Sequence, residues 1–126
     1  MSSSADQEKH YEVDLRGDHI YLRLIGQING HDLHQSTEDV LKVAKRVKVY
    51  KLIDDIRELD RSSVTIGLQT EAIGLLWKLR VFQKIALVYK DDEIGRLVAA
   101  TLQTIHFTSR ARAFDNEIEA LAWLQE

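Results

Sequence analysis

Cysteine is absent from the 126 residues, which removes disulfides, thiolate metal ligands and cysteine nucleophiles together and fits a reducing compartment. Proline is absent as well, where ordinary usage would place about six. Nothing in the sequence accounts for that, and turns fall to glycine, aspartate and serine. No run approaches the roughly 18 apolar residues of a membrane span, and the polar opening MSSSADQEKH lacks the apolar stretch of a signal peptide. There is no Gly-x-Ser-x-Gly elbow and no glycine-rich phosphate loop. A formal charge of -3 argues against a surface that tracks nucleic-acid phosphates. The expectation is a soluble, cytoplasmic chain without nucleic acid, cofactor or membrane span.

What is present is enough apolar residue, 44% of the chain, to build one core at a length that gives about one domain. Residues 1–10, polar and without periodicity, read as a flexible leader, and 11–126 as a single α/β domain. Alternation at Tyr11, Val13 and Leu15, then at Ile20, Leu22 and Leu24 after Gly17-Asp18, predicts a hairpin over 11–15 and 20–28. Leu33, Val40, Leu41, Ala44 and Val47 recur at helical spacing over 31–47, with Asp32, Glu38 and Asp39 early and Lys42, Lys45 and Arg46 late, as a helix dipole favours. A strand over 49–56 leads to Asp60, Ser62 and Ser63, whose oxygens suit the cap of a second helix running to Arg80. KIALVY, 84–89, reads as a strand buried on both faces.

Asp91 and Asp92 open a third helix with a stripe of Ile94, Leu97, Val98, Thr101, Leu102 and Ile105, ended by His106. A last strand over 111–114 precedes Asn116 and Glu119, at capping-box spacing, and a helix holding Ile118, Leu121 and Leu124. The order ββαβαβαβα predicts a mixed, largely parallel sheet of four or five strands with about four helices.

This order, with GQINGHDL before the first helix, KIALVYKDD at the fourth strand and AFDNEIEALAWL at the end, resembles the STAS domains, and more narrowly their anti-sigma-factor-antagonist-like (SpoIIAA-like) branch. The resemblance covers about residues 11–124. It implies a small non-catalytic module that binds protein partners or, in some relatives, an apolar or lipid-like ligand. Regulatory STAS domains carry a phosphoacceptor serine in an Asp-Ser-Ser-Gly turn, and the matching stretch here is Asp60-Arg61-Ser62-Ser63-Val64. Arg61 interrupts that motif and Val64 replaces its glycine. Ser62 and Ser63 are therefore either a phosphoacceptor pair or simple helix caps.

Other constellations have plainer readings. His31 and His34 are spaced to share a metal but lie opposite the apolar face of their helix, beside Lys42 and Lys45. Asp54, Asp55, Glu58 and Asp60 crowd the end of the third strand, a composition suited to a divalent cation or an acid-base pair. Neighbours on a strand point to opposite faces, however, so Asp54 and Asp55 do not converge, and Arg57 and Arg61 offer neutralising partners. The second helix is the most informative segment. Val64, Leu68, Ala72, Leu75, Leu76 and Leu79 fill one arc, whereas Ile66, Ile73 and Trp77, flanked by Gly67 and Gly74, fall nearly opposite. Either a neighbouring helix of the domain or a partner or ligand covers that second stripe. The leading expectation is a non-enzymatic binding module, a homodimer or partner of another protein, acting through the second helix and its N-terminal turn. The alternative is a carrier or sensor of a small lipid-like ligand held between Trp77, Ile73 and the adjacent helix. A weaker third is a metal-dependent hydrolase.

Overall fold

A computed structural model describes residues 10–103 and 110–126. Residues 1–9 of the predicted leader, Ile105 and His106 lie outside the described residues. Five strands form one sheet in the order β1 (Tyr11–Arg16), β2 (His19–Gly26), β3 (Lys51–Leu59), β4 (Lys84–Val88) and β5 (Ala111–Phe114). Only β1 runs antiparallel to its neighbour. Among the described residues four α-helices accompany the strands: α1 (Gly30–Val47), α2 (Ile66–Lys78), α3 (Glu93–Gln103) and α4 (Glu117–Leu124). The mixed, mostly parallel α/β architecture is the expected one. Among the described residues no helix is long and apolar enough to cross a membrane.

The hairpin pairs Arg16 with His19 across Gly17-Asp18. Gly17 has φ +63, the left-handed backbone that a glycine-first hairpin loop demands and that side chains with a Cβ resist. β3 continues three residues beyond the expected Ile56 because its charged end still finds the neighbouring strand. Glu58 pairs with Ile25 in the ladder and holds Arg23 at 2.7 Å. α1 opens on a full capping box that the periodicity does not reveal: the Asn29 side chain accepts from the Asp32 N–H at 2.9 Å, and Asp32 accepts from the Asn29 N–H at 3.0 Å.

Helices cover both faces of the sheet. On one face Ile20, Leu22, Leu24, Leu52 and Ile85 pack with Val40 and Ala44 of α1 and with Leu79 and Phe82 beyond α2. On the other, Tyr21, Ile53, Ala86 and Val88 pack with Ala120, Trp123 and Leu124 of α4. Asp92 caps α3 by accepting from the Gly95 N–H at 2.8 Å. Gly95 itself is dictated by closeness, since a Cβ there would lie 1.9 Å from the Lys90 carbonyl oxygen. On α3 the buried residue is Ala99, and Leu97, expected on the core stripe, is half exposed. Replacing Asn29 by Ala removes the N-terminal cap of the longest helix and is expected to lower unfolding free energy by about 1 kcal/mol in urea titration.

Candidate functional site

The turn entering α2 is more elaborate than a simple cap. Asp60 caps a short 3-10 turn, Arg61–Ser63, by accepting from the Ser62 N–H at 2.9 Å. Two residues later Thr65 caps α2, its hydroxyl accepting from the Leu68 N–H at 3.1 Å. The expectation that Ser62 or Ser63 caps the helix is therefore corrected. The 3-10 turn uses up the serines before the helix starts at Ile66, and the hydroxyl in reach of the first helical N–H groups is that of Thr65. Both serines have other work. Ser63 is buried, and its Oγ accepts from the Ile28 N–H at 2.9 Å, tying the turn to the loop between β2 and α1. Ser62 is exposed; its hydroxyl donates to Asp60 Oδ1 at 2.9 Å and accepts from Gln27 at 3.2 Å. Thr65 was legible in principle, as a preferred cap residue, but the two serines before it drew the assignment.

Along α2 the two stripes separate as the spacing predicts. Leu75 is buried and Leu68, Ala72 and Leu76 are partly so, whereas Ile66 is 84%, Trp77 57% and Ile73 36% exposed. Thr70, Gly67 and Gly74 complete the outer face, where the one charged group among the described residues is the Arg80 guanidinium beside Trp77. A Cβ on Gly74 would meet nothing within 4 Å, so the helix backbone is approachable there. Arg80 lies over the Trp77 ring at 5.0 Å.

The two adjacent aspartates of β3 occupy opposite faces. Asp55 accepts from the Tyr21 hydroxyl, from Arg57 Nε at 2.9 Å and Nη2 at 2.7 Å, and from the Arg57 N–H at 3.0 Å. Burial alone would raise the Asp55 pKa, but the hydrogen bonds from Arg57 and Tyr21 hold it below the usual carboxylate range. Burial, reinforced by the hydrogen bond to Asp55, pushes the Tyr21 hydroxyl up to about 12. Arg57 also reaches Glu117 at 3.0 Å, so the cluster satisfies itself and fastens α4 to the sheet. Asp54 has none of this. It stands in register between Leu22 and Leu87, lining an apolar cavity of about 120 Å³ walled by α1, α2, α3 and the sheet. Its Oδ1 is shielded from solvent and finds no hydrogen-bond partner among the described residues. Burial, with the nearby charge of Asp55, pushes its pKa up to about 7. Sequence reasoning separated the two carboxylates and expected an apolar opening beside Ile73 and Trp77; the cavity is lined by Ile73 but not Trp77, and the presence of Asp54 in its wall was not anticipated.

His31 and His34 are both exposed on α1, with His34 3.6 Å from Glu71. Among the described residues no three His, Asp or Glu side chains are grouped to hold a metal ion.

Two predictions follow from this geometry. Ser63→Ala leaves the buried Ile28 N–H without its acceptor and is expected to cost about 1–3 kcal/mol, Thr65→Ala about 1 kcal/mol and the exposed Ser62→Ala less than either, read from urea midpoints. The second concerns pH. A carboxyl whose folded pKa lies above its unfolded value binds more protons in the folded state between the two, so Asp54 turns against folding as pH rises from about 4 to about 7. Asp54→Asn is expected to match the wild type in stability near pH 4 and to exceed it by on the order of 2–4 kcal/mol at pH 8. The opposite trend of Asp55, whose stabilisation is lost as pH falls through its lowered pKa, is common to both proteins and cancels. A stability difference that stays flat with pH would contradict the assignment.

Comparison with known proteins agrees with this architecture. The family model described as SpoIIAA-like matches residues 19–125. No curated protein matches. Among solved structures, an uncharacterized protein of the DUF3478 family with a SpoIIAA-like fold from Shewanella loihica PV-4 superposes with a TM-score of 0.59 at 17% identity, over 90% of this chain and 91% of that one. The anti-sigma factor antagonist SpoIIAA in its unphosphorylated form superposes with a TM-score of 0.61 at 14% identity, over 91% and 97%. These likenesses concern the fold, and they agree with the strand order and the two helix-covered faces described above. With its model matched from β2 to the last turn of α4, the chain belongs to the SpoIIAA-like family of STAS-like domains.

Proposed function

We propose that the protein is a non-enzymatic binding module whose partner surface is the outer stripe of α2 together with the Ser62 turn at its N-terminal end. The observation that carries this reading is the exposed apolar face of Ile66, Ile73 and Trp77. An aromatic-aliphatic face of that kind is costly to leave in water and marks binding surfaces. A related fold belongs to a protein described as an antagonist of another protein factor, which acts through protein contact. The occupant proposed is a second copy of the chain. The apolar side chains of this stripe can meet their own image across a two-fold axis, and Gly67 and Gly74 let the two backbones approach.

Ser62 is the serine of the pair that a modifying enzyme can reach, because Ser63 is buried. Its hydroxyl donates to Asp60, and a phosphate there would set two anions face to face and open the 3-10 turn beside the stripe. A second reading, carriage of a small apolar ligand, is favoured by the cavity that α2 roofs.

Ile66→Glu is the decisive variant, since this residue is exposed and does not line the cavity. Sedimentation is expected to give a dimer for the wild type and a folded monomer, by circular dichroism, for the variant. A wild type that stays monomeric at 100 μM, or a variant that stays dimeric, sinks the interface. Ser62→Asp is expected to weaken dimerisation about tenfold; unchanged association withdraws the switch and leaves the interface standing.

A further inference from the structure

The cavity beneath α2 has a chemical character that its apolar lining alone would not suggest. Leucines and valines from three elements wall it: Leu22 and Leu87 from the sheet, Val40 from α1, and Leu75 and Leu76 from α2. The volume, about 120 Å³, approaches that of an apolar void of about 150 Å³ that accepts benzene. Polar groups also reach its wall, and their hydrogen-bond roles are one-sided. Ser36 and Thr37 both commit their hydroxyl protons to the Leu33 carbonyl, each at 2.9 Å. Thr101 donates to the Leu97 carbonyl at 3.0 Å. At the floor lies Asp54, whose Oδ1 has no partner among the described residues. Gln69, part-exposed on α2, is the lining residue that carries N–H donors in its side chain.

An acceptor-rich apolar chamber of this kind is a poor fit for an anion and an incomplete one for a hydrocarbon. An anion would face the Asp54 carboxylate, and a hydrocarbon would leave that carboxylate buried without a donor, which costs free energy in the occupied and the empty site alike. A protonated amine supplies what is missing: a charge opposite to that of Asp54 and N–H donors for its carboxylate. Resting on the ligand-carrying reading above, we infer that this cavity binds a small apolar amine, with its ammonium group on Asp54 and its hydrocarbon or aromatic body among Leu22, Val40, Leu75 and Leu87. The raised affinity of Asp54 for a proton describes the same deficiency, since in the absence of a cationic guest a proton is what neutralises the carboxyl. No other titratable side chain lines the cavity among the described residues; Asp55, on the opposite face of β3, faces Tyr21 and Arg57.

The test uses four probes of similar shape at pH 8, where Asp54 is ionised and the amine still protonated: 2-phenylethylamine, 2-phenylethanol, 3-phenylpropionate and propylbenzene. Each is titrated into the full chain by calorimetry, with amide chemical-shift mapping to place the site. The expected result is that the amine binds at least tenfold more tightly than propylbenzene and 3-phenylpropionate, with shifts at Leu22, Val40 and Leu87, and that Asp54→Asn abolishes this preference. The alcohol is expected to fall between the amine and the hydrocarbon. Propylbenzene binding as tightly as the amine, or an amine preference that survives Asp54→Asn, overturns the assignment to Asp54 while sparing the ligand-carrying reading. Failure of every probe to bind the wild type overturns both. Ala72→Phe, which fills the cavity from α2 and leaves Asp54 in place, is expected to exclude all four probes; amine binding that persists in this variant would move the site elsewhere and overturn the inference.

Discussion

The central strand β3 is buried between two layers of helix, and its side chains must alternate between two apolar surroundings. Leu52 and Ile53 meet that demand on either side. The next pair, Asp54 and Asp55, breaks it on both faces at once. The two breaches are resolved differently. On the α4 face, Tyr21, Arg57 and Glu117 surround the Asp55 carboxylate and convert a buried charge into a clamp between helix and sheet. On the α1–α2 face nothing comparable arrives, and the packing leaves a void with an acid at its floor. Buried charge is tolerated where partners enclose it and otherwise shifts toward neutrality. A protein that only needed a stable sheet would be better served by an aliphatic residue at position 54.

Much of this fold is legible in the sequence because local patterns and tertiary demands agree. Strict alternation in β1 and β2, an unbroken apolar β4, and the two-sided wheel of α2 each report a burial environment that the structure contains. Alternation also told that the two neighbouring aspartates lie on opposite sides. The rest was hidden for definite reasons. The 3-10 turn of Arg61–Ser63 separates the serines from the helix they seemed to cap, and its presence depends on Asp60 and on a hydrogen bond to Ile28, a residue 35 positions away. The last residues of β3 look like a charged loop until Arg23 of the neighbouring strand is placed beside Glu58. Leu97 follows the helical stripe of α3, yet it is half exposed while Ala99 is buried. The carboxylate in the cavity wall is the furthest from reach, since no local pattern encodes what lines a gap between three helices.

α2 divides the two surfaces of interest. Its inner face roofs the cavity through Leu75 and Leu76, and its outer face carries Ile66 and Trp77. Ile73 belongs to both, lining the cavity and standing part-exposed beside Trp77. A change at Ile73 therefore disturbs two environments together, whereas Ile66 and Trp77 report on the outer face alone. The helix is held from its N-terminal side by the cap of Thr65 and the turn fastened to Ile28, and from its C-terminal side by Leu79 and Phe82 in the core. Its middle has lighter anchorage, with Leu75 as its buried residue.

The strand order β1-β2-β3-β4-β5 repeats the order of the chain. Each strand is therefore laid against the one synthesised just before it, and no gap has to be kept open for a segment that arrives later. Loop closure spans a two-residue turn at the first step and one helix with its turns at each later one, so the entropy of bringing strands together is met in small instalments. The sheet can be extended from one edge as the polypeptide leaves the ribosome. The nascent edge at any moment is the strand that the next segment will cover, and this shortens the time for which an unpaired apolar strand such as Lys84–Val88 is open to other chains.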